Sequence, residues 1–126
     1  MKQSTDISVV VPVKNEAGNI ESLIQEIDDA LQKLNYEIIY VNDGSKDKTA
    51  DELQLSLIKN KRLRVINHKE SQGQSAALRS GVIASKSPII ATLDGDGQND
   101  PSDLSGMIKL FKNNTNHLVF VGGVRV

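Results

Sequence analysis

Five short apolar runs rich in β-branched residues, each closed by a polar loop, constrain this chain more than any other feature. They are residues 7–12 (Ile-Ser-Val-Val-Val-Pro), 37–42 (Glu-Ile-Ile-Tyr-Val-Asn), 63–67, 88–93 (Pro-Ile-Ile-Ala-Thr-Leu) and 117–121 (His-Leu-Val-Phe-Val). Runs of this length that do not alternate with polar residues predict strands covered on both faces, as in parallel α/β sheets. Between the first two, Leu23, Ile24, Ile27, Ala30, Leu31 and Leu34 fall on one helical stripe, with Glu21, Gln25, Glu26 and Asp28 outside it. A second helix, capped by Asp47 or Thr49, carries Leu53, Leu57 and Ile58. A third, over residues 76–85, is rich in small side chains and must pack close to the sheet. A fourth starts at Pro101, with Leu104, Met107, Ile108 and Phe111 inward. Strand and helix in alternation predict an α/β fold: a doubly wound, mostly parallel sheet with helices on both faces. No repeat or linker divides residues 1–126, which read as one domain.

Composition removes several functions. The formal net charge is -1, with two Tyr, two Phe and no Trp, so the chain offers neither a phosphate-tracking surface nor base-stacking platforms, and nucleic acid is not the expected partner. With no Cys, disulfides, thiolate catalysis and Cys-ligated zinc are excluded. The N-terminus lacks the apolar run of a signal peptide, and no segment has the roughly 20 apolar residues of a membrane span. The expected location is cytoplasmic, at the inner face of the membrane if other parts of a longer protein attach it there.

Ligands in such sheets bind beyond the carboxyl ends of the strands, and here those ends carry the polar residues. The first strand runs into Pro12-Val13-Lys14-Asn15-Glu16, the second into Asn42-Asp43-Gly44-Ser45, the third into residues 68–74, the fourth into Asp94-Gly95-Asp96-Gly97-Gln98-Asn99-Asp100. All four loops should open on one edge and bring their acids to one crevice. Asp94 and Asp96, flanking a glycine, would repel each other unless a cation lies with them. A hard divalent ion takes few protein carboxylates and completes its shell with phosphate oxygens and water. An acid pair, two glycines and the neutral oxygen of Gln98 therefore suit a metal–diphosphate site; the same acids also suit a turn that caps the following helix.

The other polar positions admit two roles each. Glu16 and Asp43, at strand ends, can accept from ribose hydroxyls or a base edge; equally, Asn15 and Glu16 can start a helix and Asp43-Gly44-Ser45 can be an ordinary turn. Gly73-Gln74-Ser75 opens a helix whose free amides make an anion site, or simply a glycine-led helix start. His68 and His117 stand beside no nucleophile motif, which favours surface or packing roles. The basic run over residues 59–64 reads as a solvated connection.

Taken in order, these segments resemble the inverting family 2 glycosyltransferases of the GT-A, Rossmann-like fold. Val10-Val11-Pro12-Val13-Lys14-Asn15-Glu16 resembles their opening strand and first nucleotide loop, Tyr40-Val41-Asn42-Asp43-Gly44-Ser45-Lys46-Asp47 the second, and Asp94-Gly95-Asp96 their Asp-x-Asp motif. Residues 94–101 and 73–78 look most like the branch of dolichyl-phosphate mannose synthases and bacterial polyprenyl-phosphate glycosyltransferases. The resemblance implies a base and ribose pocket lined by Pro12, Val13, Asn15 and Glu16, with Asp43 at the base edge and Gln74 at the donor. It implies Asp94 near ribose and metal, Asp96 and Gln98 on a Mg²⁺ or Mn²⁺ ion, and Arg125 facing the donor diphosphate. Gly97 stands where relatives have a larger apolar residue and Gln74 where many have Lys.

The implied reaction moves a hexose from UDP- or GDP-sugar to a polyprenyl phosphate. Relatives continue for another half-domain that holds the acceptor and, in many, the catalytic base, so the sheet is expected to be incomplete on its C-terminal side and no catalytic base is assigned here. A strand missing beside the fourth would leave an open sheet edge, with a homodimer as the expected consequence. Three alternatives remain at this point: a haloacid-dehalogenase-type phosphatase with Asp94 as nucleophile and Asp96 as acid, a calcium loop, and a module that binds nucleotide without turnover.

Overall fold

The computed structural model describes residues 5–93 and the backbone of a further strand, Val119–Gly122. The elements are β1 (Ile7–Val13), α1 (Ile20–Leu31), β2 (Tyr36–Asp43), α2 (Thr49–Lys59), β3 (Leu63–His68), α3 (Gln74–Ala84), β4 (Ile89–Thr92) and β5 (Val119–Gly122). Each of the five apolar runs overlaps one of these strands. The fourth helix expected from Pro101 lies outside the described residues.

Every strand pairing is parallel, in the order β3-β2-β1-β4-β5. The chain moves outward from β1 through β2 to β3, then returns to lay β4 against the other side of β1. This reversal is the topological switch point that opens a ligand crevice in open α/β sheets. The free edge expected beside the fourth strand is absent: β4 pairs with β1 on one side and β5 on the other, so among the described strands β3 and β5 are the edges.

The absence of alternation in β1 has its cause in two cores. Ile7, Val9, Val11 and Val13 join Leu23, Ile27 and Leu31 of α1 and Leu53 of α2 on one face. Val10 faces the other way, with Ile39, Val41, Ala77 and Ile90. The α1 stripe is buried as its spacing required, with Leu34 packing against the core just past the helix end. In α2, Leu53 is buried and Leu57 partly so, but Ile58 lies on the solvent side at 82% exposure. Five residues separate Leu53 from Ile58, which places them on different faces of a helix with 3.6 residues per turn.

The small residues of α3 do bring it close to the sheet. A Cβ on Gly81 would lie 2.3 Å from Val10 Cγ1 and 3.2 Å from Val41 Cγ2. Both neighbours are β-branched strand residues with little rotamer freedom. Gly81→Ala should therefore lower stability by about 1–3 kcal/mol through overpacking, although alanine is the better helix former; a urea titration of the two proteins checks this.

One cluster of polar strand residues lies at the amino end of the sheet. Ser8 donates to Glu37, which also accepts from Arg64 at 2.8 Å, while Ser85 and Ser87 bond to Ser8. Burial alone would push the Glu37 carboxyl up, but the bonds from Ser8 and Arg64 outweigh it and hold the group below its ordinary value. This network ties β1, β2, β3 and the α3–β4 turn together away from the crevice.

Candidate nucleotide-sugar site

Strand register decides which loops share a rim. Val13 pairs with Asn42, Asn42 with Asn67, and Asp43 with His68. Three parallel strands thus end nearly in step, and residues 14–19, 44–48 and 69–73 leave from one edge. Glu16 and Asp43 lie at this common rim, as the sequence predicts.

The first two loops are latched by side chains. Four consecutive backbone N–H groups of the first loop donate to the second loop and the start of α2. Asn15 donates to Ser45 Oγ at 2.9 Å, Glu16 to Thr49 Oγ1 at 2.9 Å and Ala17 to Asp47 Oδ2 at 3.2 Å. Gly18 donates to both carboxylate oxygens of Glu52, at 2.9 and 3.0 Å. In return Lys46 N–H donates to Asn15 Oδ1 at 2.8 Å. Asn15 sits at φ 55, a left-handed conformation that asparagine tolerates better than other side chains. Its side chain therefore braces the neighbouring loop.

Asp47 does more than start a helix. It accepts from Thr49 N–H and Thr49 Oγ–H with one oxygen and from Ala17 with the other. Bonds from Thr49 lead the causes that hold its carboxyl below the ordinary value. Glu16 accepts from Asn19 Nδ2 at 3.1 Å, and its side chain stands half-exposed on the rim.

The second and third loops meet at Asp43. Its side chain is only 4% exposed. Oδ1 accepts from His68 Nδ1–H and Gln72 N–H, each at 2.8 Å; Oδ2 accepts from Ser71 Oγ–H at 3.0 Å and Gly73 N–H at 2.9 Å. Burial pushes this carboxyl up, but the bonds from Gln72, His68, Gly73 and Ser71 together prevail and bring its pKa to about 2. A carboxylate has about four acceptor sites, so all of them are filled from within the chain. A base edge would have to displace one of these donors. Of the amides expected to be free at the opening of α3, that of Gly73 is taken by Asp43, as is that of Gln72 just before it, so an acid carried there from β2 already faces this helix start.

The remaining sequence candidates divide into two groups. Pro12 and Val13 are buried in β1, and Val13 belongs to the core on the α1 face. Gln74, the first residue of α3, is exposed on the rim next to Gly73. Asp94, Asp96, Gln98 and Arg125 lie outside the described residues. No group of three possible metal-ligating acids or imidazoles occurs among the described residues. Four residues outside the expected site residues prove central to the rim: Ser45, expected in a turn, Thr49, expected as a helix cap, His68, expected in a surface or packing role, and Glu52, given no role. Of these only Thr49 carried a signal, the Asp-x-Thr spacing of a capping turn.

Relatives place this arrangement in context. Residues 8–126 match Glycosyl transferase family 2. The chain is 36% identical over 107 residues to a dolichol-phosphate mannosyltransferase of Pyrococcus furiosus, covering 85% of this chain and 30% of the relative. It is 34% identical over 109 residues to a dodecaprenyl-phosphate galacturonate synthase of Rhizobium johnstonii, covering 84% and 32%. It therefore spans about a third of the length of these relatives. Among solved structures, a mannosyltransferase of Pyrobaculum calidifontis in complex with GDP-Man and Mn²⁺ superposes with a TM-score of 0.76 at 23% identity, over 90% of this chain and 34% of that one. Glucosyl-3-phosphoglycerate synthase of Mycobacterium tuberculosis, in complex with Mn²⁺ and UDP, gives 0.68 at 25% identity, over 85% and 39%. These folds share the GT-A architecture. The acid pair of residues 94 and 96 left phosphatase and calcium-loop readings open; a match over nearly the whole chain removes both, and the chain belongs to glycosyl transferase family 2.

Proposed function

We propose that this chain forms the donor-binding part of an enzyme that transfers a hexose, with inversion, from a UDP- or GDP-sugar to a polyprenyl phosphate. The family match carries the reading, and the interlocked rim at the carboxyl ends of β1, β2 and β3 supports it. Side chains of one loop fix the backbone of the next, so a nucleotide meets a preformed surface and little ordering is left for the moment of binding. Asn15 and Glu16 form the base and ribose side of the site, over the buried end of β1 at Pro12 and Val13, and Gln74 reaches the donor from α3. Asp43 serves it by holding residues 71–73. A Mg²⁺ or Mn²⁺ ion on Asp94, Asp96 and Gln98, with Arg125 beside it, would neutralise charge on the departing diphosphate. The acceptor phosphate is already anionic and needs little help from a general base. The chain by itself binds nucleoside diphosphate without turnover.

A thermal-shift screen tests this. UDP or GDP at a hundred times its dissociation constant stabilises the native state by about 2.7 kcal/mol, a rise of several degrees in Tm, and Mn²⁺ or Mg²⁺ should enlarge it. No shift with any nucleoside diphosphate, with or without the ions, refutes donor binding. Sugar transfer by these 126 residues alone refutes the claim of binding without turnover.

A further inference from the structure

We infer that His68 is a positioning residue for the donor site, acting through Asp43 to set the backbone that leads into α3. The inference rests on the proposed donor-binding role of this rim. His68 closes β3 with its side chain 9% exposed, wedged between two partners. Nδ1 lies 2.8 Å from Asp43 Oδ1 and Nε2 lies 2.8 Å from Ser80 Oγ. Asp43 is ionised and can only accept, so the proton sits on Nδ1, and in the neutral ring Nε2 accepts from the Ser80 hydroxyl. One imidazole thereby links the ends of β2 and β3 to the second turn of α3.

Geometry gives the link its consequence. With Oδ1 held by His68, the carboxylate plane is set so that Oδ1 also meets Gln72 N–H and Oδ2 meets Ser71 Oγ–H and Gly73 N–H. Gly73 is the N-cap of α3, at φ 100, and Gln74 follows it on the rim. Without the ring, the carboxylate is free to rotate and the path of residues 71–74 loses its anchor, while both hydrophobic cores stay intact. Partners one step removed from a binding group change affinity by roughly tenfold or more when lost.

Three variants separate this role from general stability. His68→Leu removes both bonds; His68→Asn keeps an amide N–H where Nδ1 donates to Asp43; Ser80→Ala cuts only the Nε2 bond. The readouts are titration with UDP and GDP in the presence of Mn²⁺, and amide hydrogen exchange without nucleotide. His68→Leu should weaken the bound nucleotide roughly tenfold and speed exchange selectively at Gln72 and Gly73, leaving β1 amides such as Val10 protected. His68→Asn should recover part of both, since it keeps the bond to Asp43 and lacks the one to Ser80. Wild-type affinity and unchanged exchange at Gln72 and Gly73 in His68→Leu overturn the inference, as does equal damage in His68→Asn. If His68→Leu fails to fold, Ser80→Ala decides: faster exchange at Gln72 and Gly73 with weaker nucleotide binding supports the role, and wild-type behaviour overturns it. A wild-type chain that binds neither nucleotide overturns the donor-site role; if exchange at Gln72 and Gly73 still responds to the variants, the failure lies in the functional reading and not in the latch.

Discussion

Asp43→Asn should lower the unfolding free energy at neutral pH by about 2–4 kcal/mol. Asparagine keeps one carbonyl oxygen and replaces the other with an amide that donates. Whichever way it turns, its NH₂ faces two groups that themselves donate. If the oxygen stays with His68 and Gln72, the Ser71 hydroxyl can rotate to accept, but Gly73 N–H cannot and remains opposed in a nearly buried site. Turned the other way, His68 can carry its proton on Nε2, towards Ser80 Oγ, and accept at Nδ1, but Gln72 N–H cannot adjust and remains opposed. Either geometry loosens the start of α3.

The same variant should flatten the acid limb of the stability curve. The folded pKa of Asp43 is about 2, against an ordinary value of 3.8. A carboxyl depressed by folding adds stability that is fully present above its unfolded pKa and disappears as pH falls through the folded one. For Asp43 this window runs from about pH 5 down to about pH 2, and its size is at most about 2 kcal/mol, since screening of a loop charge trims it. Urea midpoints at pH 7 and pH 3 check both parts. Equal midpoints for variant and wild type at pH 7, or an equal drop between the two pH values, would show that the carboxylate does not hold the loop.

How much of this the sequence revealed depends on the kind of interaction. The strands were legible because burial on both faces leaves unbroken apolar runs, and their parallel order follows from helices between them. The rim was legible for the same reason: residues after parallel strands must share an edge, so Glu16 and Asp43 could be placed together without coordinates. What each acid does there was not legible. Asp43 meets Ser71, Gln72 and Gly73 about 30 residues downstream, and Glu52 meets Gly18 across 34 residues. Such side-chain-to-backbone bonds have no period and no fixed spacing, and an acid that latches a loop has the same composition signature as one that binds a ligand. His68 was hidden further, because a histidine is informative only once both ring nitrogens have partners. Ile58 shows the opposite limit: hydrophobicity placed it in the α2 pattern, whereas helix geometry turns it to solvent.

Gly44→Ala should lower stability by about 3–4 kcal/mol, the sum of a backbone and a crowding effect that a second glycine separates. Gly44 lies at φ 68, where a side chain costs about 1–2 kcal/mol. A Cβ there would also stand 2.4 Å from Ser71 N and 2.9 Å from Glu70 C, both backbone atoms of the third loop. The loop would have to retreat, and Ser71, Gln72 and Gly73 are the residues that bond to Asp43 next door, so moving it stretches bonds of 2.8 to 3.0 Å. Gly18 provides the control. It lies at φ 93 but has nothing within 4 Å of an added Cβ, so Gly18→Ala should carry only the backbone effect, about 1–2 kcal/mol. Chemical denaturation of both variants measures the difference, and nucleotide titration should show weaker binding for Gly44→Ala than for Gly18→Ala. Equal losses in the two proteins would mean that the second and third loops are not packed as described, and the donor rim would lose the contact that makes it one surface.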